Sequence, residues 1–332
     1  MRLRRIMMTA AEPRRITASG TRILPAAARD TQAVNPMPRQ LAIVDAHQHI
    51  WDLAARPQPW LDTSPALAPL RRNFLLAELI PQAATAGVTA TVVVQTVSEP
   101  AETADLLALA AAGELVAAVV GWTDLGAPSV VDAIAGLRAL PGGRFLAGIR
   151  HPLLTEADPE WLGRPEIRRG LSALGDAGLT FDLVVRPEQL AAAVQAAAGL
   201  PHLTFVLDHL GNVEVRPSPD AAWVSTFTAL ASLPNTACKL SGIFSAPAAR
   251  LRARQARDED PVAHLRPYLD VALDAFGPDR LMFGSDWPVC TLSVSYGEVV
   301  SSAIALTAEL SDAERETILG GTARAVYHLD TC

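Results

Sequence analysis

Two histidines stand one residue apart in VDAHQHIWD (residues 44–52), at the end of an apolar run, in a chain of 332 residues that has only seven histidines. If the run is a strand, residues i and i+2 share a face. His47 and His49 then project together, with Asp45 one layer below and Gln48 opposite. Two neutral imidazoles converging on one point suit a divalent ion or a developing oxyanion. The plain alternative is a polar strand end with no chemistry, and the triplet alone does not choose between them. Asp286, in GSDWP, closes another apolar run ahead of Trp287 and Pro288. A partly desolvated carboxylate there suits a general base toward water, although an aspartate at a strand end can also cap a helix. His209, in LDHLGN, offers a third imidazole, or else a core histidine bonded to a carbonyl.

Other strand ends carry further polar residues. Arg150 and His151 suggest recognition of a carboxylate or carbonyl oxygen, with a barrel-mouth ion pair as the alternative. Gln95 closes ATVVVQ. Lys239 is the only lysine beside 27 arginines, and it sits inside ACKLSG, which suggests a place for a compact ammonium, with chance or a buried structural lysine as the alternative. Trp51, Trp60 and Trp287 could line a pocket or simply pack. Cys290 follows the Asp286 motif, but no partner base accompanies it, so it is not assigned as a nucleophile. Asp208 reads as pointing away from the axis and is left out of the site.

The elements that must position these groups recur regularly from residue 41. Apolar, β-branched runs at 41–49, 90–97, 115–122, 145–151, 179–185, 203–210, 236–242 and 280–287 alternate with Ala/Leu-rich stretches of helical character. Pro100 opens one helix and Gly113 closes it; Pro187 opens another. Ser311 with Glu314 makes a capping box near the C-terminus, and Gly320–Gly321 is expected to end that helix. Strands apolar on both faces that alternate with helices imply a parallel sheet covered by helices. Eight such units over residues 41–332 predict an α/β fold, a single distorted (β/α)₈ barrel with C-terminal helices. No Gly-x-Gly-x-x-Gly follows a strand, which removes the usual sign of a dinucleotide site. Four of the seven histidines fall at strand tips, where barrels of this kind carry their reactive groups.

Composition narrows the classes. Half the residues are hydrophobic and 19% are charged, enough to build a sizeable core. The net charge of −7 is uneven: residues 1–40 carry eight Arg against one Glu and one Asp, leaving about −13 on the rest. An acidic body without a basic stripe argues against nucleic acid and anionic membrane as partners. Segment 1–40 has no secretory apolar stretch. It reads as a disordered extension or a start assigned too early, with Met37 a sensible start. Leu106–Trp122 is broken by Gly113 and Glu114 and reads as a helix end followed by a strand rather than a membrane span. Three scattered cysteines fit a reducing, cytoplasmic setting.

Taken in order, VDAHQHIWD…PWL, VVVQTV…E, GIRHPL, FDLVV, FVLDHLGN, KLSG and RLMFGSDWPV resemble the amidohydrolase superfamily. More narrowly, they resemble the branch of sugar-acid lactonases and 2-pyrone-4,6-dicarboxylate lactonase, over about residues 41–329. The resemblance implies hydrolysis of a cyclic ester. Asp286 would activate water, His47, His49 and His209 would polarise the carbonyl or hold a metal, and Arg150 and His151 would contact substrate oxygens. Gln95, Lys239, Trp51 and Trp287 complete the expected substrate-binding set. The binuclear members use a strand 4 Lys or Glu, whereas strand 4 here ends in Arg150–His151 and strand 5 offers only Asp182. At most one divalent ion, zinc first, is therefore expected on His47, His49, His209 and Asp286, and none is required. Two rivals remain: a metal-dependent decarboxylase or hydratase of an aromatic or unsaturated acid, and a non-catalytic sugar-acid binder. The loops at 52–73 and 243–262 would set specificity, with 246–260 read as solvated surface; a homo-oligomer is allowed.

Overall fold

The computed structural model describes residues 41–245 and 262–329, so the expectations for 1–40 and for the loop 246–260 lie outside the described residues. Eight strands follow one another along the chain. They are β1 (Ile43–Gln48), β2 (Val88–Val94), β3 (Val116–Gly121), β4 (Leu146–His151), β5 (Thr180–Leu183), β6 (Phe205–Leu207), β7 (Thr236–Leu240) and β8 (Leu281–Phe283). Each pairs in parallel with the next, in sequence order. The ring closes between β8 and β1 through a parallel bridge from Gln48 to Trp287. This is the expected (β/α)₈ barrel. Every apolar run supplied one strand, and the runs shorten most at β6 and β8, where the chain turns out of the ladder.

Residues alternate between two cores. Outward side chains such as Val93, Val119, Phe181, Leu207 and Phe283 are fully buried beneath helix residues such as Leu79, Leu107, Leu171 and Phe227. Complete burial of each such side chain contributes about 1.5–3 kcal/mol of transfer free energy. Inward apolar positions are mostly small, Val44, Ala46, Ala90, Val92, Ala118, Val120, Val206 and Ala237, with Met282 the larger exception. Tyr327, just past the helix Thr322–Val326, fills the space that these short side chains leave. The helix punctuation is as read: Pro100–Ala112 begins at its proline, and Ser311 and Glu314 cap each other. Gly320–Gly321 does not end that helix. The chain continues through a wide turn, Thr317–Gly321, into Thr322–Val326.

The reason is contact rather than conformation. A Cβ on Gly320 would lie 2.4 Å from the carbonyl oxygen of Ala42, at the start of β1. No helix among the described residues is long and apolar enough to cross a membrane. Gly320→Ala is expected to push the C-terminal helices off β1 and to cost about 1–3 kcal/mol. Urea denaturation measures the loss; an unchanged midpoint would show that this contact is not what selects glycine.

Candidate active site

The tip of β1 departs from simple alternation. The β1–β2 register shifts between Asp45 and Gln48, a bulge-like irregularity. Val44 and Ala46 line the barrel interior, whereas Asp45 accepts hydrogen bonds from the hydroxyls of Ser285 and Tyr296. Asp45 is therefore not the layer beneath His47, as plain alternation predicts. His47 and His49 nevertheless converge, with their Nε2 atoms 3.2 Å apart. Asp286 Oδ1 lies 3.6 Å from His49 Nε2 and 3.9 Å from His47 Nε2. The His209 ring centres 4.4 Å from that of His47, and its Nδ1 meets the Ser241 hydroxyl at 2.8 Å.

Two of these residues sit in left-handed backbone, His209 at φ 55° and Asp286 at φ 58°. For side chains other than glycine this conformation costs about 1 kcal/mol or more, and it concentrates at functional sites. It has a geometric use. Alternation from inward Val206 turns Asp208 inward, and the left-handed residue at 209 turns His209 to the same side. Asp208 is the site residue that sequence reasoning left out. Its Oδ1 lies 3.2 Å from His47 Nδ1, and its Oδ2 accepts from Arg150 Nη1 at 3.2 Å. The buried lysine in β7 was the available sign that a carboxylate must face inward.

Hydrogen-bond partners assign the imidazole protons. Val94 O can only accept, so His49 Nδ1, at 2.7 Å, carries the proton and leaves Nε2 as a lone pair. Arg150 Nη1, 3.3 Å from His47 Nε2, and Asp208 Oδ1, 3.2 Å from His47 Nδ1, favour the proton on Nδ1, against the Lys239 ammonium 3.2 Å from that same Nδ1. Burial holds His47 well below the usual imidazole range against the opposing pull of Asp208, and burial likewise lowers His209. Both rings are neutral near pH 7. Burial pushes the Asp208 carboxyl up, but Lys239, His47 and Arg150 outweigh it and hold it well below the usual carboxylate range. Two lone pairs and the Asp286 carboxylate thus face one another, an electron-rich set suited to a single cation. The ligand atoms of His47, His49 and Asp286 all lie within 4.8 Å of one another. His209 groups instead with His47 and Asp208.

A cavity of about 410 Å³ opens over this floor. His49, Gln95, Arg150, His209 and Asp286 line it, joined by Trp60, Leu154, Val184, Asn212 and Val289. His47 lies just beneath, fully buried. Four residues expected at the substrate do not line this cavity. Lys239 is buried on the floor between Asp182 and Asp208. Trp51 donates to Arg72 O and packs on Phe74, and Trp287 packs on Phe74 from the other side. His151 stacks on Trp161 and pairs with Glu156, so it braces the loop that carries Leu154 rather than facing inward. Cys290 is buried and its thiol is pushed well up by burial, which keeps it protonated and unreactive.

Comparison with known proteins gives consistent matches. A family model described as Amidohydrolase matches residues 44–329. A protein of Burkholderia multivorans named L-fucono-1,5-lactonase is 38% identical over 294 residues, covering 86% of this chain and 96% of that one. A protein of Burkholderia ambifaria with the same name is 33% identical over 292 residues, with coverage of 86% and 96%. A solved amidohydrolase of Burkholderia multivorans with bound zinc has a TM-score of 0.76 at 36% identity, over 86% of this chain and 99% of that chain.

Asp286 meets the histidine pair because the β8 edge is clamped to β1. Asp286 N donates to His47 O at 2.8 Å and His49 N donates to Trp287 O at 2.6 Å. Below them Asp45 accepts from Ser285 N, Ser285 Oγ and Tyr296 Oη. Burial pushes the Asp45 carboxyl up to about 6 although these bonds pull it down. Asp45→Asn replaces an acceptor with an amide donor facing two hydroxyls. It is expected to cost about 1–3 kcal/mol in denaturant unfolding, together with a loss of turnover. Wild-type stability would remove Asp45 from this role.

Proposed function

Since the chain belongs to the amidohydrolase family, we propose that it is a hydrolase that opens the cyclic ester of a sugar acid with water activated by Asp286. The observation that carries this reading is Asp286 Oδ1 standing 3.6 Å and 3.9 Å from the Nε2 atoms of His49 and His47 beneath a cavity of about 410 Å³. The names of the two Burkholderia relatives point to a 1,5-lactone of a sugar acid as the substrate class.

In this mechanism Asp286 takes a proton from a water held at its carboxylate, and the water attacks the lactone carbonyl from the cavity side. The bond to the ring oxygen then breaks, and protonated Asp286 returns the proton to the leaving alkoxide. Arg150, fixed by Asp208 and by Gln95 O, supplies positive charge beside the developing oxyanion. His209 assists as a donor. Its Nδ1 pairs with the Ser241 hydroxyl at 2.8 Å, and in the tautomer in which Ser241 donates, Nε2 would carry the proton. Trp60, Leu154, Val184 and Val289 give the ring apolar faces to rest against and exclude bulk water.

The donor set also fits one divalent ion, held by His47 Nε2, His49 Nε2 and Asp286. When bound, such an ion would supply Lewis-acid polarisation of the carbonyl.

Asp286→Asn should lower kcat for 1,5-lactones of sugar acids by about 10²–10⁴-fold while thermal unfolding is retained. Full turnover in that variant, or release of carbon dioxide from aromatic acids by the wild type in place of lactone opening, would overturn the assignment. Calorimetric titration of chelator-treated protein with zinc is expected to show one ion per chain. The His47→Gln/His49→Gln double variant should bind none, and equal binding by both proteins would place the ion elsewhere.

A further inference from the structure

Lys239 is fully buried and does not line the cavity, so direct contact with substrate does not explain it. Burying an ammonium costs several kcal/mol unless its protons are matched. Here the match is close: Nζ lies 2.6 Å from Asp182 Oδ2 and 3.0 Å from Asp208 Oδ1. Asp182 is anchored separately, by the Tyr327 hydroxyl at 2.8 Å and the Thr180 hydroxyl at 3.2 Å. The arrangement therefore runs in one direction, from an aspartate fixed to the barrel floor, through the ammonium, to an aspartate that touches the site.

The oxygen that Lys239 takes on Asp208 is the one His47 uses. Asp208 Oδ1 receives both Lys239 Nζ and His47 Nδ1, while Oδ2 receives Arg150. Lys239 Nζ also lies within hydrogen-bond distance of His47 Nδ1, at 3.2 Å, so it touches the ring nitrogen as well as the carboxylate oxygen that nitrogen uses. Arg150 alone would leave the carboxylate free to rotate about Cβ–Cγ, and the His47 proton would lose its fixed acceptor. The residue type suits this place. The ammonium reaches two carboxylates as a point charge beside the Tyr327 ring, 5.4 Å from its centroid.

We propose that Lys239 is a positioning residue for His47. By holding Asp208 Oδ1 in place it fixes the His47 tautomer that keeps the proton on Nδ1 and presents the Nε2 lone pair at the floor of the cavity. This rests on the lactonase reading for its kinetic consequence but not for its structural one.

The test uses the full chain and two readouts. Lys239→Met alone leaves two buried carboxylates facing each other and can fail to fold. The charge-balanced double variant Lys239→Met/Asp182→Asn removes one positive and one negative charge together. In the double variant, kcat for a sugar-acid 1,5-lactone should fall about 10–100-fold, as for lost support of a site histidine, with KM within about threefold. In ¹⁵N-histidine NMR, the signal identified as His47 by its loss in His47→Gln should show a proton on Nδ1 in the wild type. The double variant should show that proton shared between Nδ1 and Nε2. A wild-type kcat with an unchanged tautomer would reduce Lys239 to a structural ion pair. A raised KM with kcat retained would return it to substrate binding. If the wild type opens no lactone, the lactonase reading fails while the NMR comparison still decides the positioning role.

Discussion

The site exists because β8 closes onto β1. The other strands pair along ladders of several residues, but this seam is made by the Gln48–Trp287 bridge, two backbone bonds and the Asp45 carboxylate. His47 and His49 stand on one side of the seam and Asp286 on the other. Closing the barrel and bringing the carboxylate to the imidazoles are therefore one event. Each bond contributes only about 1 kcal/mol net, yet a buried donor left without its partner costs more than that. The left-handed backbone at Asp286 is held against its own preference by those bonds on either side of it.

Below the seam the barrel solves a second problem, how to keep four charges in a dry interior. Lys239 and Arg150 face Asp182 and Asp208, two positive against two negative. Most inward apolar strand positions are Val and Ala, which leaves volume for these long side chains, and Tyr327, from the last segment of the chain, packs among them while donating to Asp182. Burial then does opposite things to the two kinds of group. It keeps His47 and His209 neutral, and it would neutralise Asp208 as well were three positively polarised neighbours not aimed at it.

Much of the scaffold was legible in the sequence, because a parallel strand buried on both faces is written as an unbroken apolar run and eight such runs are hard to mistake. The grouping of His47, His49, His209 and Asp286 followed from strand tips alone. What escaped depends on features that periodicity does not encode. A register shift past Asp45 in β1 brings His47 to the inner face while Asp45 stays outward, and a left-handed residue at 209 brings His209 to the same side as Asp208. Trp51, His151 and Trp287 are next to strand tips, but adjacency does not say which way a ring points, and each found an aromatic neighbour outside the cavity. Gly320 looked like a helix stop because glycine often is one. Here it marks the place where a helix comes too close to Ala42 for any Cβ.

The charge balance also bears on what the cavity can accept. Among the described residues, Arg150 is the one cation lining it, and both of its terminal nitrogens already serve His47, Asp208 and Gln95. Asp286 adds a carboxylate beside the histidine pair, so the site carries one negative charge beyond the balanced four. A neutral ring would meet no electrostatic penalty on entry, and under the proposed mechanism the charge on its carbonyl oxygen would develop beside Arg150. A doubly charged acid would have to approach Asp286 without a free cation among these residues to offset the repulsion. The same excess negative charge, with two imidazole lone pairs turned toward it, makes the floor attractive to a small cation. Under the proposed reading, the features that suit the pocket to a neutral lactone also suit it to a metal ion: a His47 ring kept uncharged by burial and a carboxylate kept apart from the lysine.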